Sequence, residues 1–171
     1  IDGGGAARCV YLDNSAARLS GFTLTNGAAD SGAGVWCASF STVVSNCVFT
    51  RNSANLGGGA YRGTLNNCTL TGNSARNSGG GTFAVTANNC TLTGNSANLG
   101  GGAAGSALYN CTLTGNSANL GGGAYDGTLN NCIVYYNTAA PGTDNYSAGG
   151  VLNYCCTTPR PPAGVGNITD D

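Results

Sequence analysis

The sequence predicts an all-β fold in which the chain coils into a solenoid of stacked turns, and three observations lead to this fold class. The octapeptide CTLTGNSA occurs three times, beginning at Cys68, Cys90 and Cys111. The slot of this cysteine recurs at intervals of 25, 21, 22, 21, 21 and 23 residues, and it is filled by Phe22, Cys47, Cys68, Cys90, Cys111, Cys132 and Cys155. No segment shows the apolar period of a helix. A period of about 21–22 residues is typical of a solenoid with one turn per repeat.

Each turn is predicted to contain three short strands joined by three bends. Strand-forming residues come in short bursts, and Asn and Gly stand between the bursts. A hairpin scheme would need a tight turn between every pair of strands. The Asn-Asn pairs that begin at Asn66, Asn88 and Asn130 occur only once per turn, so parallel stacking of successive turns fits the sequence better.

The strand that contains each repeated cysteine is predicted to supply the core. Alternate side chains of a strand point to opposite faces, so Cys68 and Leu70 face inward while Thr69 and Thr71 face outward. Each fully buried Leu or Phe contributes roughly 1.5 to 3 kcal/mol of transfer free energy. The two inward columns are Phe22, Cys47, Cys68, Cys90, Cys111 and Cys132, and Leu24, Phe49, Leu70, Leu92, Leu113 and Val134.

Two further features are predicted to shape the bends. Amides stacked at the strand spacing of about 4.8 Å can bond to the turns on either side, as in an asparagine ladder. Such a column holds Asn52, Asn73, Asn95, Asn116 and Asn137, with Asn26 one place early in the first turn. The glycine triplets at 57–59, 79–81, 100–102 and 121–123 allow positive φ or close backbone approach, so valine at one of these glycines should break its turn.

The repeats resemble those of a known family. The segment FTRN at residues 49–52 and the segments GGGAY at 57–61 and 121–125 are similar to the FxxN and GGA(I/L/V) repeats of polymorphic membrane protein adhesins. The resemblance covers about residues 20–140, although LTGN replaces FxxN in the later turns and Tyr or Ala follows GGA. It implies a right-handed parallel β-helix in a bacterial protein that is secreted or on the cell surface, with an adhesive role.

A single β-helix domain is predicted over residues 1–171. Regular repeats occupy 20–140, and residues 141–171 form an irregular turn and a proline-rich tail that serves as a cover, an edge or an exit. Because Ile1 begins in mid-pattern, the chain is expected to be a segment of a longer protein. The sequence contains no run of eighteen apolar residues, so no transmembrane helix is predicted.

Composition narrows the range of partners and cofactors. Six scattered Arg and no Lys cannot form the basic patch that nucleic acid requires. The chain has no His, and the repeated cysteines lie a whole turn apart instead of in ligand clusters, so no metal site and no cofactor are expected. These cysteines are predicted to be buried thiols. Cys9 and Cys37 lie outside the column and could pair, and one of Cys155 and Cys156 could be exposed.

The acidic residues do not predict an active site. Carbohydrate-cleaving β-helices need grouped acids. The seven Asp (2, 13, 30, 126, 144, 170 and 171) are dispersed along the chain, and Asp126 lies within the regular repeats. Arg62 fills the corresponding slot three turns away, roughly 14 Å on the strand spacing. The segment is therefore predicted not to be an enzyme.

Two outward columns are candidates for binding. Threonines flank the inward leucines as two parallel rows, which hold Thr69, Thr91 and Thr112 in one and Thr71, Thr93 and Thr114 in the other. This array is similar to the Thr-x-Thr face of β-solenoid ice-binding proteins, but Thr is also common on exposed strands. A further column, Trp36, Tyr61, Phe83, Ala104 and Tyr125, would be a sugar-stacking platform if it faced outward and core if it faced inward.

The expected function is structural and extracellular: a rigid stalk, surface adhesin or fibre-forming segment that contacts cells or glycans. Strand edges at the ends of the solenoid could pair with another copy and stack the chains end to end. Two alternatives stay open at this stage. One is an ice- or crystalline-glycan-binding solenoid acting through the threonine rows, and the other is a non-catalytic part of a carbohydrate-active enzyme.

Overall fold

A computed structural model describes residues 1–147 and 149–169 of the chain. These residues form a parallel β-solenoid of about 7 turns, with about three strands per turn and no helix. The predicted fold class is therefore confirmed. Asp170 and Asp171, two of the seven acidic residues considered above, lie outside the described residues.

The strands are short, because each turn is bent at its corners by residues with positive φ, most of which are Asn or Gly. In chain order they are β1 (Val10–Leu12), β2 (Arg18–Ser20), β3 (Thr23–Thr25), β4 (Val35–Cys37), β5 (Val43–Ser45), β6 (Val48–Thr50), β7 (Ser53–Leu56), β8 (Ala60–Tyr61), β9 (Thr64–Asn66), β10 (Thr69–Thr71), β11 (Ser74–Ser78), β12 (Thr82–Phe83), β13 (Thr86–Asn88), β14 (Thr91–Thr93), β15 (Ala103–Tyr109), β16 (Thr112–Thr114), β17 (Ala124–Asn130), β18 (Ile133–Tyr135), β19 (Val151–Asn153) and β20 (Cys156–Thr157).

The strands stack into three sheets that run along the solenoid. A seven-stranded sheet has the order β20-β18-β16-β14-β10-β6-β3, and β11 pairs with β7 in a small third sheet. An eleven-stranded sheet has the order β1-β4-β8-β12-β15-β13-β9-β5-β2, and β17 joins β15 to β19. The strand pairs are parallel, and Thr69 pairs with Thr91, which pairs with Thr112. Each repeat therefore adds one rung in register, as the spacing predicts.

The interior contains the predicted cysteine and leucine columns. The side chains of Cys47, Cys68, Cys90, Cys111, Cys132 and Cys155 are at most 2% exposed, and those of Leu24, Phe49, Leu70, Leu92, Leu113 and Val134 are fully buried. The thiols bond between rungs: Cys90 Sγ lies 3.4 Å from the backbone nitrogen of Cys68 and 3.7 Å from the carbonyl oxygen of Leu65. Cysteine therefore acts here as a small apolar residue that also accepts a backbone N–H.

Phe22 does not join the cysteine column, so this part of the prediction is wrong. Its side chain is 45% exposed, although its backbone nitrogen bonds to Cys47 Sγ at 3.4 Å as a member of that slot should. The slot fits a thiol that reaches backbone atoms of the previous rung, and a phenyl ring is too large for this space. In addition, β3 is the edge strand of the seven-stranded sheet, so no further rung of that sheet covers the ring.

All nine cysteines are free thiols, so the predicted alternative of a Cys9–Cys37 pair is not formed. Cys37 is buried, and Cys9 Sγ instead donates to the carbonyl of Thr25 at 3.2 Å. Of the adjacent pair, Cys155 is buried and Cys156 is half-buried.

The asparagine column forms a continuous hydrogen-bonded ladder through the core. Asn95 Nδ2 donates to Asn116 Oδ1 at 3.0 Å and to the carbonyl of Leu70 at 2.9 Å. Its Oδ1 accepts the backbone N–H of Asn73 at 2.9 Å and Asn73 Nδ2 at 3.0 Å. Each amide thus has both donor hydrogens and both acceptor sites in use, which is the condition for burying it without a large desolvation cost.

Asn26 is not part of this ladder, contrary to the prediction that it joins one place early. Its side chain turns outward and donates to Asp2, 3.2 Å from Oδ1. The ladder slot in that turn belongs to Gly27, whose backbone N–H donates to Asn52 Oδ1 at 2.8 Å. Asn26 instead occupies the preceding corner, where its φ is 52°.

The glycine triplets make the tightest bend of each turn. The first glycine has positive φ, between 60° and 68° at Gly57, Gly79, Gly100 and Gly121. The second approaches the next rung so closely that a Cβ at Gly101 would collide with the carbonyl oxygens of Ser117 and Gly122. Glycine is therefore required at these two positions for different reasons, one conformational and one steric.

The corner after each threonine strand is also left-handed, and it carries a first prediction. Glycine fills it at Gly72, Gly94 and Gly115, whereas Arg51 takes it with φ 55° and an exposed side chain. A non-glycine residue in this conformation costs roughly 1–2 kcal/mol. We expect Arg51→Gly to raise the free energy of unfolding by about 1 kcal/mol in urea denaturation. An unchanged or lower stability would contradict this backbone assignment.

Residues 143–147 and 149–169 follow the last regular turn, in the segment where the sequence predicts a cover, an edge or an exit. Asn145 Oδ1 accepts Asn137 Nδ2 at 3.0 Å, so it takes the next position of the asparagine ladder only eight residues later. Asn167 Oδ1 accepts the backbone N–H of Cys155 at 2.9 Å, as a thiol would in the next rung. Two amides thus satisfy polar groups that a further turn would otherwise bond, which is the task of a capping segment.

Stability should depend on pH mainly in the alkaline range. Burial raises the pKa of the Cys37 thiol to about 12 and also raises the pKa of Tyr146. Both groups are neutral when protonated, so their raised pKa values stabilise the fold below the unfolded-state pKa. This contribution is lost as the pH rises towards the folded-state values. We expect urea midpoints to fall steadily between about pH 9 and 12, and to fall less steeply for Cys37→Ala. Equal slopes would contradict the assignment to this thiol.

Candidate functional surfaces

The threonine rows form a flat outer face on the seven-stranded sheet. Strands β10, β14 and β16 present Thr69, Thr91 and Thr112 in one row and Thr71, Thr93 and Thr114 in the other. Within a rung the two threonines lie about 6.6 Å apart, and neighbouring rungs are separated by about 4.8 Å. Within residues 1–147 and 149–169, these six hydroxyls have no hydrogen-bond partner. The rows are therefore free to meet water or a ligand surface.

The threonine face is bounded at both ends by other residues. Val48 interrupts the first row on one side, and Ile133 and Tyr135 end both rows on the other. Val48 and Ile133 are exposed, whereas Tyr135 is half-buried. Three rungs therefore carry the Thr-x-Thr pattern in succession. Such a face is small compared with the whole side of the solenoid.

The aromatic column, whose direction the sequence left open, faces outward. Trp36 is half-buried between the inward side chains of Val35 and Cys37, and its ring lies between those of Tyr11 and Tyr61. The ring centroids of Tyr11 and Trp36 are 4.5 Å apart with parallel planes, and those of Tyr61 and Phe83 are 5.7 Å apart with planes 7° apart. We name Tyr11, Trp36, Tyr61 and Phe83 the aromatic stack.

The aromatic stack is a poor platform for sugars. Sugar rings stack on aromatic faces, and here most faces are directed at the neighbouring ring. The outer face of Tyr11 is approached by the guanidinium of Arg8, 5.4 Å from the ring centroid, and that of Arg62 lies 5.3 Å from the Tyr61 centroid. Ala104, which follows Phe83 in the column, is buried. The stack therefore stabilises the outer surface of the sheet and leaves few ring faces open to a ligand.

A pocket that the sequence did not predict lies where the threonine face ends. Its volume is about 410 Å³, and Tyr135, Tyr136, Gly142, Asp144, Thr158 and Pro159 contribute to its wall. The rings of Tyr135 and Tyr136 meet edge to face, with centroids 5.2 Å apart and planes at 65°. We name this site the Tyr136 pocket. The sequence does mark Tyr136 as unusual, because this tyrosine fills the corner slot that holds glycine in the three preceding turns.

Charged residues are spread along the solenoid. Arg62 and Asp126 occupy the same left-handed corner in different turns, with φ 59° and 49°, and Ala84 and Gly105 take that corner between them. Over residues 1–147 and 149–169, no group of three or more acidic or cysteine side chains could hold a metal ion. Within the same residues, no helix is long and apolar enough to cross a membrane.

Comparison with known proteins identifies no relative of this chain. No protein-family model, no curated protein and no solved structure gives a significant match to the chain.

Proposed function

We propose that this chain is a non-catalytic part of an extracellular or cell-surface β-solenoid, which serves as a rigid stalk and adheres to glycans through its side surface. The observation that carries the proposal is the seven-turn parallel coil. Adjacent rungs are joined by backbone hydrogen bonds and by the asparagine ladder, so the stack resists bending and presents its outer rows in fixed positions.

The repeats support an adhesive role through their likeness to the FxxN and GGA repeats of polymorphic membrane protein adhesins. Some outer positions differ from turn to turn, as in the corner that holds Arg62, Ala84, Gly105 and Asp126, while the inward columns are repeated. Tyrosines are well represented on that surface, and outside the aromatic stack Tyr136 and Tyr154 are each more than half exposed. Exposed aromatic rings provide apolar faces for ligands at little cost in side-chain entropy.

A glycan array probed with the labelled, full 171-residue chain tests this proposal. We expect saturable binding to at least one class of oligosaccharide, and adhesion of protein-coated beads to surfaces that carry the same sugar. Heat-unfolded protein is the control for non-specific adsorption. The absence of saturable binding to every sugar on the array would overturn the adhesive role.

A second candidate is binding of ice or a crystalline polysaccharide, and the in-register threonine rows favour it. Their repeat is flat and two-dimensional, which matches a crystalline surface better than a single flexible chain. We expect such a binder to show thermal hysteresis, and Thr91→Lys with Thr93→Lys to abolish it, because two bulky charges would stand in the middle of the face. No hysteresis in the unmodified chain excludes the ice ligand.

End-to-end self-association is disfavoured at the C-terminal end. The tail forms a parallel bridge to β20, between Ile168 and Cys156, so a second copy could add a rung there only after displacing it. We expect monomers in analytical ultracentrifugation, and elongated assemblies only after deletion of residues 159–171. Fibres of the intact chain in electron micrographs would show that the tail does not block stacking.

A further inference from the structure

We infer that the Tyr136 pocket binds one uncharged pyranose unit of a glycan, with the sugar ring stacked on Tyr136. The inference rests on the proposed adhesive function and gives it a location and a ligand class. The pocket volume of about 410 Å³ falls within the range of small-ligand sites in proteins.

The backbone at Tyr136 is the first argument. Its φ is 55°, and the same corner holds Gly72, Gly94 and Gly115 in the three preceding turns. A bulky residue in the left-handed region is an outlier that is retained only where something offsets its cost. The ring of Tyr136 is 79% exposed, so core packing does not account for it. The contact with Tyr135 offsets part of the cost, and the exposed ring is available to a ligand.

The lining of the pocket is the second argument. The two rings, with planes at 65°, form a corner in which the exposed Tyr136 ring suits the C–H face of a pyranose. Asp144 Oδ1 accepts the backbone N–H of Ala139 at 2.8 Å. Its Oδ2 has no hydrogen-bond partner among the described residues and can accept hydrogen bonds from sugar hydroxyls. Thr158 adds a hydroxyl at the same wall.

Charge selects the type of sugar. Asp144 contributes a carboxylate to the lining, and no Arg is among the lining residues. An acidic sugar would therefore meet a like charge without a compensating cation. An uncharged hexose or N-acetylhexosamine unit supplies hydroxyl donors to the carboxylate, so it is the occupant that the pocket favours.

The position of the pocket indicates how a longer glycan would lie. Tyr135 pairs in register with Thr114 and so continues the row of Thr71, Thr93 and Thr114. A chain seated in the pocket can run along the threonine face, where free hydroxyls line its path. The threonine face would then act as an extension of the site.

The test uses the full chain with three neutral probes, cellohexaose, chitohexaose and mannohexaose, and one acidic probe, a hexamer of galacturonic acid. Affinity is measured by titration calorimetry, and saturation-transfer NMR reports which sugar protons contact the protein. We expect Tyr136→Gly to weaken binding of the preferred neutral probe at least tenfold while its melting temperature rises, because glycine suits the left-handed corner. Asp144→Asn should weaken binding by a smaller factor.

Arg51→Gly is the matched control, because it makes the same backbone change in the same slot four turns away. We expect it to raise the melting temperature similarly and to leave affinity unchanged. If Tyr136→Gly binds as tightly as the unmodified chain, the pocket assignment is wrong while the adhesive function stands. Tighter binding of the acidic probe would overturn the sugar class. No binding of any probe by the unmodified chain would overturn the pocket, and the glycan array would then decide the proposed function separately.

Discussion

Replacing Gly101 with alanine is expected to lower the free energy of unfolding by at least about 3 kcal/mol. Its φ is not positive, so the cost is steric: the added methyl group would meet the carbonyl oxygens of Ser117 and Gly122. These are backbone atoms held by the next rung, and they cannot rotate away as a side chain could. The rung spacing must open locally, and hydrogen bonds at the glycine bend would be lost.

Gly94→Ala is the control for this experiment, because Gly94 lies in the same turn but has a positive φ and no close neighbour. Gly94 has φ 63° but its nearest contact to an added Cβ is 3.9 Å away. Its replacement should cost only the left-handed penalty of roughly 1–2 kcal/mol. Urea denaturation followed by circular dichroism measures both. Equal losses for the two variants would show that the close approach at Gly101 is not real.

Asn95→Asp should be the most damaging nearly isosteric change in the core. The carboxylate can still accept from Asn73, but the oxygen in place of Nδ2 faces the carbonyl of Leu70 and Oδ1 of Asn116. Two acceptors would then lose their donor while a charge is buried without a partner. We expect a loss of about 3–5 kcal/mol at pH 7.

The pH dependence of this variant gives a second readout. Burial raises the pKa of the introduced carboxyl above its unfolded value, so the protonated form is favoured in the fold. The variant should therefore be most stable below about pH 4 and lose stability as the pH rises through the folded-state pKa. Asn98→Asp, an exposed change in the same turn, should alter stability by less than about 0.5 kcal/mol at any pH. A pH-independent Asn95→Asp variant would contradict the buried ladder.

Sequence periodicity was sufficient to predict the fold because each inward column repeats with the turn. The position of Cys90 follows from that of Cys68, and alternation along a strand then places Leu92 inside and Thr91 outside. Phe22 was assigned wrongly because the period identifies a slot but not its size. The direction of the Trp36 column could not be settled next to a glycine bend, since strand alternation is reset there.

The contacts made by the C-terminal segment and the lining of the Tyr136 pocket could not be predicted, for a different reason. Asn145 continues the ladder eight residues after Asn137, where the period of the repeats no longer applies. The pocket joins Tyr136 to Thr158 and Pro159 across a segment of irregular backbone. A tyrosine in a glycine slot signalled an exception at Tyr136, but its neighbours could be identified only in three dimensions.

The central claim, that each repeat adds one parallel rung in register, can be tested with engineered metal bridges, because the chain contains no His. Thr69→His with Thr91→His places two imidazoles side by side on adjacent rungs, about 4.8 Å apart. Thr69→His with Thr112→His places them two rungs apart, at about 9.6 Å. We predict that millimolar Ni²⁺ raises the unfolding free energy of the first variant by roughly 1–3 kcal/mol and leaves the second unchanged. Equal stabilisation of the two variants, or none of the first, would contradict the parallel in-register solenoid.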